Sequence, residues 1–160
     1  MPVLKSFPPI ANRRAKVLIL GSMPGVRSLD AGEYYAHPQN KFWVIMASVL
    51  WQSQPLTYIQ KKTMLLRHGV ALWDVVRSCR RNGSLDADLR EVQVNNFSRL
   101  LGKCPKIKTV FCNGQTAFQL FSRSYDGTGL TICCLPSTSP ANTVSLGWKL
   151  SQWRKILNFI

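Results

Sequence analysis

Four short apolar runs set the architecture of this chain: VLIL (17–20), GVALWDV (69–75), TVFCN (109–113) and TICCLP (131–136). They are continuous rather than alternating, which is the pattern of strands covered on both faces in a parallel sheet. Helical spacing fills the intervals. Phe42, Ile45, Met46, Val49 and Leu50 recur on one face, followed by Leu56, Ile59, Leu65 and Leu66 before a stop at His68-Gly69. Asn95-Asn96 offers a cap for residues 96–103. Ala117, Phe118 and Phe121 follow Gly114, and Leu150, Trp153, Ile156, Leu157 and Ile160 share one side of a last helix. Strand–helix alternation predicts an α/β chain, a three-layer α/β/α domain around a four-stranded parallel sheet. Each run breaks off into a polar or Gly/Pro cluster: residues 21–25, Trp73-Asp74, Asn113-Gly114 and 135–142. Parallel strands bring all four clusters to one edge, where a ligand crevice is expected.

At 160 residues with 46% hydrophobic content, the chain is expected to form one domain spanning 1–160. Lys and Arg number 21 against 7 Asp and Glu, a net charge of +14 that attracts polyanions. The cations are scattered in small groups, among them Arg13-Arg14-Lys16, Arg77-Arg80-Arg81 and Lys103-Lys106-Lys108, so nucleic acid would meet a surface rather than a basic tail. Five cysteines form no CxxC pair and sit near no histidine at ligand spacing. Their odd number, with no signal peptide, predicts reduced thiols and a cytoplasmic, nucleoid-associated protein. It is expected to act as a monomer without metal, cofactor or membrane attachment. The uncharged stretch 127–148 is interrupted by prolines and hydroxyl residues, which excludes a spanning helix there.

The richest cluster is GSMPGVRSLDAGEYYAHPQNKFW (21–43). It offers closely approachable backbone, flat aromatic faces and a fixed amide, and no nucleophile beside a base. Such a loop suits holding a planar group and stabilising charge around it.

With ALWDV (71–75), NGQTAF (113–118) and LPSTSPAN (135–142), this segment resembles the uracil-DNA glycosylase superfamily. The similarity is closest to its hypoxanthine-DNA (deoxyinosine) glycosylase family, related to the mismatch-specific uracil/thymine enzymes, and spans about residues 17–145. The resemblance implies a sheet order of 2-1-3-4, no metal, and hydrolysis of the N-glycosidic bond of a deaminated base extruded from DNA. It leaves an abasic site without strand cleavage. It places Gly21, Ser22, Met23 and Pro24 against the flipped base, with Tyr35 as its stacking face. Many relatives carry Asp or Asn at the Met23 position to orient water. A thioether cannot, so the catalytic role moves to Asn40, the Asn of HPxN. The amide of Asn40 can accept from water and donate to a sugar or phosphate oxygen, although Asn ahead of a helix is also a favoured cap.

Asp74 stands where uracil-specific relatives have an Asn. An ionised carboxylate only accepts, which suits the N1–H of hypoxanthine and not adenine; capping a following helix is the alternative. His37 is expected to be structural or to contact phosphate. Ser137, Thr138, Ser139, Pro140, Ala141 and Asn142 are expected to form the DNA-binding loop. Its hydroxyls and amides would meet phosphates, and Ala141 and Asn142 would form a blunt wedge. Ser137 replaces a His of the uracil-specific branch. Two other readings stay open: a mismatch-directed uracil or thymine glycosylase, which Met23 and Ser137 oppose, and a non-catalytic nucleic-acid- or nucleotide-binding module.

Overall fold

The computed structural model describes residues 1–53 and 56–160. In chain order it contains β1 (Val3–Lys5), β2 (Val17–Gly21), α1 (Val26–Ala31), α2 (Phe42–Val49), α3 (Tyr58–Arg67), β3 (Val70–Asp74), β4 (Val76–Arg80), β5 (Arg90–Val94), α4 (Phe97–Lys103), β6 (Thr109–Asn113), α5 (Gln115–Ser124), β7 (Thr131–Leu135) and α6 (Leu146–Trp153). Short 3-10 turns cover Asp86–Asp88 and Arg154–Asn158.

The four expected strands form one parallel sheet in the order β3-β2-β6-β7. Counted along the chain, that is second, first, third, fourth. Alternate residues of β2 explain the continuous apolar runs. Val17 and Ile19 pack with Phe42, Ile45, Leu65 and Trp153 on one face; Leu18 and Leu20 pack with Phe97, Ala117 and Phe121 on the other. Both sides of each central strand are therefore core. The edge at β3 is covered by Ile10, whose N–H and C=O both bond Leu72 at 2.8 Å.

Local signals position the helices. Asn96, not Asn95, caps α4 by accepting from Arg99 N at 3.0 Å. Thr57 and Gln60 form a capping box at α3. His68 ends α3 with Nδ1 2.8 Å from Met64 O, a structural role. The last helix is shorter than its apolar spacing predicts, giving way to the 3-10 turn after Trp153.

A second sheet has no counterpart in the sequence reading. β1, β4 and β5 pair antiparallel in the order β1-β4-β5. β4 leaves β3 after the single residue Val75, so the chain turns from one sheet into the other at the crevice edge. Val76 and Cys79 from β4 and Met23 from the loop after β2 are the buried members of a small apolar cluster joining the two sheets. None of the described helices is long and apolar enough to cross a membrane.

Candidate active site

At the carboxyl edge of the parallel sheet lies a cavity of about 520 Å³. All fourteen candidate residues line it: Gly21, Ser22, Met23, Pro24, Tyr35, His37, Asn40, Asp74 and Ser137 through Asn142. Residues far apart in sequence thus share one concavity.

The floor is the turn after β2. Val75 N donates to Gly21 O at 2.8 Å and Val76 N to Ser22 O at 3.0 Å. In a trans peptide the N–H points opposite to the C=O. The Ser22 and Met23 N–H groups are therefore turned away from the β3–β4 corner. Gly21 is required by close approach: a Cβ there would overlap Asp74 Oδ1 and lie 2.7 Å from Tyr35 Oη. Met23 is buried with Val76 and Cys79, so its side chain anchors the turn.

One wall is a closed hydrogen-bond circuit. The Tyr35 ring stacks on Phe42 with centroids 4.1 Å apart and planes 25° apart. Asn113 Nδ2 donates to Tyr35 Oη at 3.1 Å and to Thr138 Oγ1 at 2.9 Å, while Thr138 N donates to Asn113 Oδ1 at 2.9 Å. Thr138 Oγ1 donates to Asn40 Oδ1 at 2.9 Å, and Phe42 N donates to the same oxygen at 3.0 Å. Burial, and then the nearby Asp74 carboxyl, holds the Tyr35 phenol above its ordinary range, so it stays protonated.

The circuit engages one end of the Asn40 amide and leaves the other open. Lys41, not Asn40, is the cap residue of α2; Asn40 Oδ1 accepts from Phe42 N in an Asx-type turn just ahead of the helix and, with the Thr138 bond, has no lone pair left for water. Nδ2, with no protein partner among the described residues, is the half left for a ligand. Tyr35 has φ 54°, a left-handed backbone rare for an aromatic residue. The stack and the Asn113 bond hold it there.

The opposite wall is acidic. Asp74 ends β3 and is buried, and its Oδ2 has no partner among the described residues. It caps no helix, because β4 follows; the capping alternative is therefore wrong. Its backbone oxygen accepts from Asn95 Nδ2 at 2.8 Å. Burial pushes the Asp74 carboxyl up to about 7, with Asp86 adding to the rise and Arg81 opposing it.

Asp86 was not foreseen. The 3-10 turn beyond β4 carries it to the cavity, where Ser22 Oγ donates to both carboxylate oxygens at 2.8 and 2.9 Å. Burial raises its pKa too, against the Ser22 bond and Arg81. Arg81 is itself buried, donates to Pro24 O and leaves Nε unpartnered. It is a structural cation under the floor, not part of the surface that meets polyanions. The Asn82-Gly83 dipeptide is a turn signal, but the polar segment after it carries no strand pattern to complete a hairpin.

The rim is the 135–142 loop. Gly114, at φ 93°, lets it pack closely: a Cβ there would lie 3.0 Å from Ser137 Cβ. His37 Nδ1 accepts from Gln39 N at 3.1 Å, which places the neutral ring's proton on Nε2. Asn142 does not project as a wedge. Its Nδ2 donates to Ser137 O at 3.1 Å and its Oδ1 accepts from Val144 N at 3.4 Å, bracing the loop. Ala141 remains exposed, and beyond it Val144, Leu146 and Trp148 expose apolar surface that the sequence reading passed over.

The family model of the uracil DNA glycosylase superfamily matches residues 8–158. The chain is 33% identical over 150 residues to the hypoxanthine DNA glycosylase of Methanosarcina barkeri, covering 93% of this chain and 94% of that protein. It is 30% identical to the protein of the same name from Methanosarcina acetivorans, over 96% and 98% of the two chains. A G/U mismatch-specific uracil DNA glycosylase of Schizosaccharomyces pombe is 29% identical over 101 residues, or 62% of this chain and 30% of that one. The solution structure of a provisionally named uracil DNA glycosylase from M. acetivorans superposes with a TM-score of 0.86 at 30% identity, covering 97% of this chain and 96% of the other.

Proposed function

The chain belongs to the uracil DNA glycosylase superfamily, and from that premise we propose that it is a monofunctional DNA glycosylase that removes hypoxanthine from deoxyinosine and leaves an abasic site. The observation that carries the substrate assignment is Asp74, a buried carboxyl with an unpartnered oxygen in the cavity. An unmet acceptor at that depth is costly alone. The N1–H of hypoxanthine would satisfy it; adenine offers only a lone pair at N1. The names of the two Methanosarcina relatives agree with this reading.

In the proposed reaction the lesion is flipped from the duplex, at a cost of a few kcal/mol that mispairing reduces. The purine lies against the open face of Tyr35, whose other face is fixed by Phe42. Asp74, ionised, accepts from N1–H. As the bond from C1′ to N9 breaks, its electron pair leaves with the base and positive charge grows on the sugar. The Ser22 and Met23 N–H groups stabilise the departing anion, the preorganised electrostatics expected to supply most of the rate. Asn40 Nδ2 donates to the oxygen of the water that attacks C1′ and so fixes its position, and the proton that this water loses passes to the departing hypoxanthine anion, giving neutral base and an abasic sugar. Met23 itself supplies no water-orienting group where many relatives carry Asp or Asn, and Asn40 positions the water only as a donor, which disfavours fast uracil release.

Labelled oligonucleotides containing inosine, xanthine, uracil or only normal bases, single- and double-stranded, test this after alkali treatment. Inosine strands are expected to break fastest. Rapid cutting at U:G with inosine untouched would transfer the assignment to the mismatch-specific branch. Release of no base would leave a binding module.

A further inference from the structure

The rim loop is gripped from behind by one face of α6. Lys149 and Trp153 stand four residues apart and so project to the same side. Trp153 Nε1 donates to Pro136 O at 2.9 Å. Lys149 Nζ donates to Asn142 O at 2.8 Å and to Ser139 O at 3.3 Å. Lys149 is buried, and the one ion pair among the described residues, Arg80–Glu91, does not involve it. An ammonium buried without a carboxylate is expensive, so the fold holds it there against its own stability. Its pKa is accordingly lowered, by burial and then by Lys41.

We propose that Lys149 is a positioning residue for a DNA-phosphate subsite on the rim loop. By drawing the Asn142 carbonyl inward it turns the N–H of the same peptide, that of Thr143, outward as a phosphate donor. Thr143 is exposed and its N–H meets no acceptor among the described residues. The Trp153 bond does the same for Ser137 N–H. The inference rests on the rim as the DNA-binding loop of the proposed glycosylase.

The test uses a duplex carrying a 2′-fluoro deoxyinosine that resists cleavage, so binding is read apart from base release. Lys149→Met is expected to weaken binding about tenfold, with a melting temperature no lower than wild type because a buried charge has gone. Lys149→Gln, which keeps N–H donors without charge, is expected to fall between the two. The slope of log K against log salt is expected to stay within about 0.5 of wild type. A slope reduced by about 1 would make Lys149 a direct phosphate ligand and overturn the positioning role. Equal weakening by Gln and Met would overturn it as well, since charge alone would then be responsible. Unchanged binding with a lowered melting temperature would leave only a structural lysine. Wild-type protein that binds through Lys149 yet releases no hypoxanthine would uphold this inference and refute the proposed reaction.

Discussion

The two walls of the cavity are built on opposite terms. On the amide wall, Tyr35, Asn113, Thr138 and Asn40 hand hydrogen bonds around a circuit in which each oxygen has a partner. On the acidic wall lies a buried side-chain atom without a partner among the described residues, Asp74 Oδ2, beside a second carboxyl at Asp86. A satisfied network holds geometry, because moving one member strands its neighbours. An unsatisfied one keeps affinity in reserve for a ligand with the missing donor. In the proposed reaction the first wall would place the reacting groups and the second would choose the base.

The largest expected effect breaks the amide wall at the Asn40 Nδ2 donor. Asn40→Asp keeps an oxygen for Phe42 N and Thr138 Oγ1 but loses the Nδ2 donor. Single-turnover excision of hypoxanthine is expected to fall about 10³-fold, within the range for a lost charge-stabilising donor, while the melting temperature stays near wild type. Activity within threefold of wild type, by the same assay, would reduce Asn40 to a turn-forming residue. Next comes Gly21→Ala, which drives a methyl into the space between the walls. We expect about a 10²-fold loss of kcat/KM, with circular dichroism showing an intact fold.

Asp74→Asn sharpens the choice of base. The ratio of hypoxanthine to uracil release is expected to drop about tenfold, the scale of one specific hydrogen bond. Because the ionised carboxylate is the acceptor, wild-type inosine excision should rise as pH passes about 7. The Asn variant should show no such rise, and a wild-type rate flat across that window would exclude the acceptor role. Stability runs the other way. A folded pKa raised from 3.8 to about 7 means the native state holds the proton more tightly. Its contribution is fully present below 3.8 and lost as pH climbs toward 7. Unfolding free energies from urea titrations of wild type should therefore decline across that interval, by about a few kcal/mol at most, and those of Asp74→Asn should decline less.

The parallel sheet was legible because burial on both faces leaves an unambiguous mark, and its shared edge then gathered the clusters at 21–25, 74, 113 and 135–142. The antiparallel sheet was not. β5 reads REVQV and is mostly exposed, so little apolar pattern distinguishes it from a polar loop. With it went Asp86, whose link to Ser22 spans 64 positions and exists only after folding. Asn40 and Asn113 were visible as residues, but the sharing of their lone pairs and N–H groups was not. That is a property of three-dimensional satisfaction, as the withdrawal of Asn142 from the wedge also shows.

Tyr35 bears on how such a pocket can diversify. Its left-handed backbone excludes β-branched replacements, and Gly21 beneath it admits no side chain. Phe42 and Asn113 are each tied to it. On the proposed reading, with Tyr35 as the stacking face, changes in base preference are expected to enter through the turn that carries Asp86 rather than through the platform. A library randomised at 84–86 should yield altered base preferences far more often than one randomised at 21 and 35.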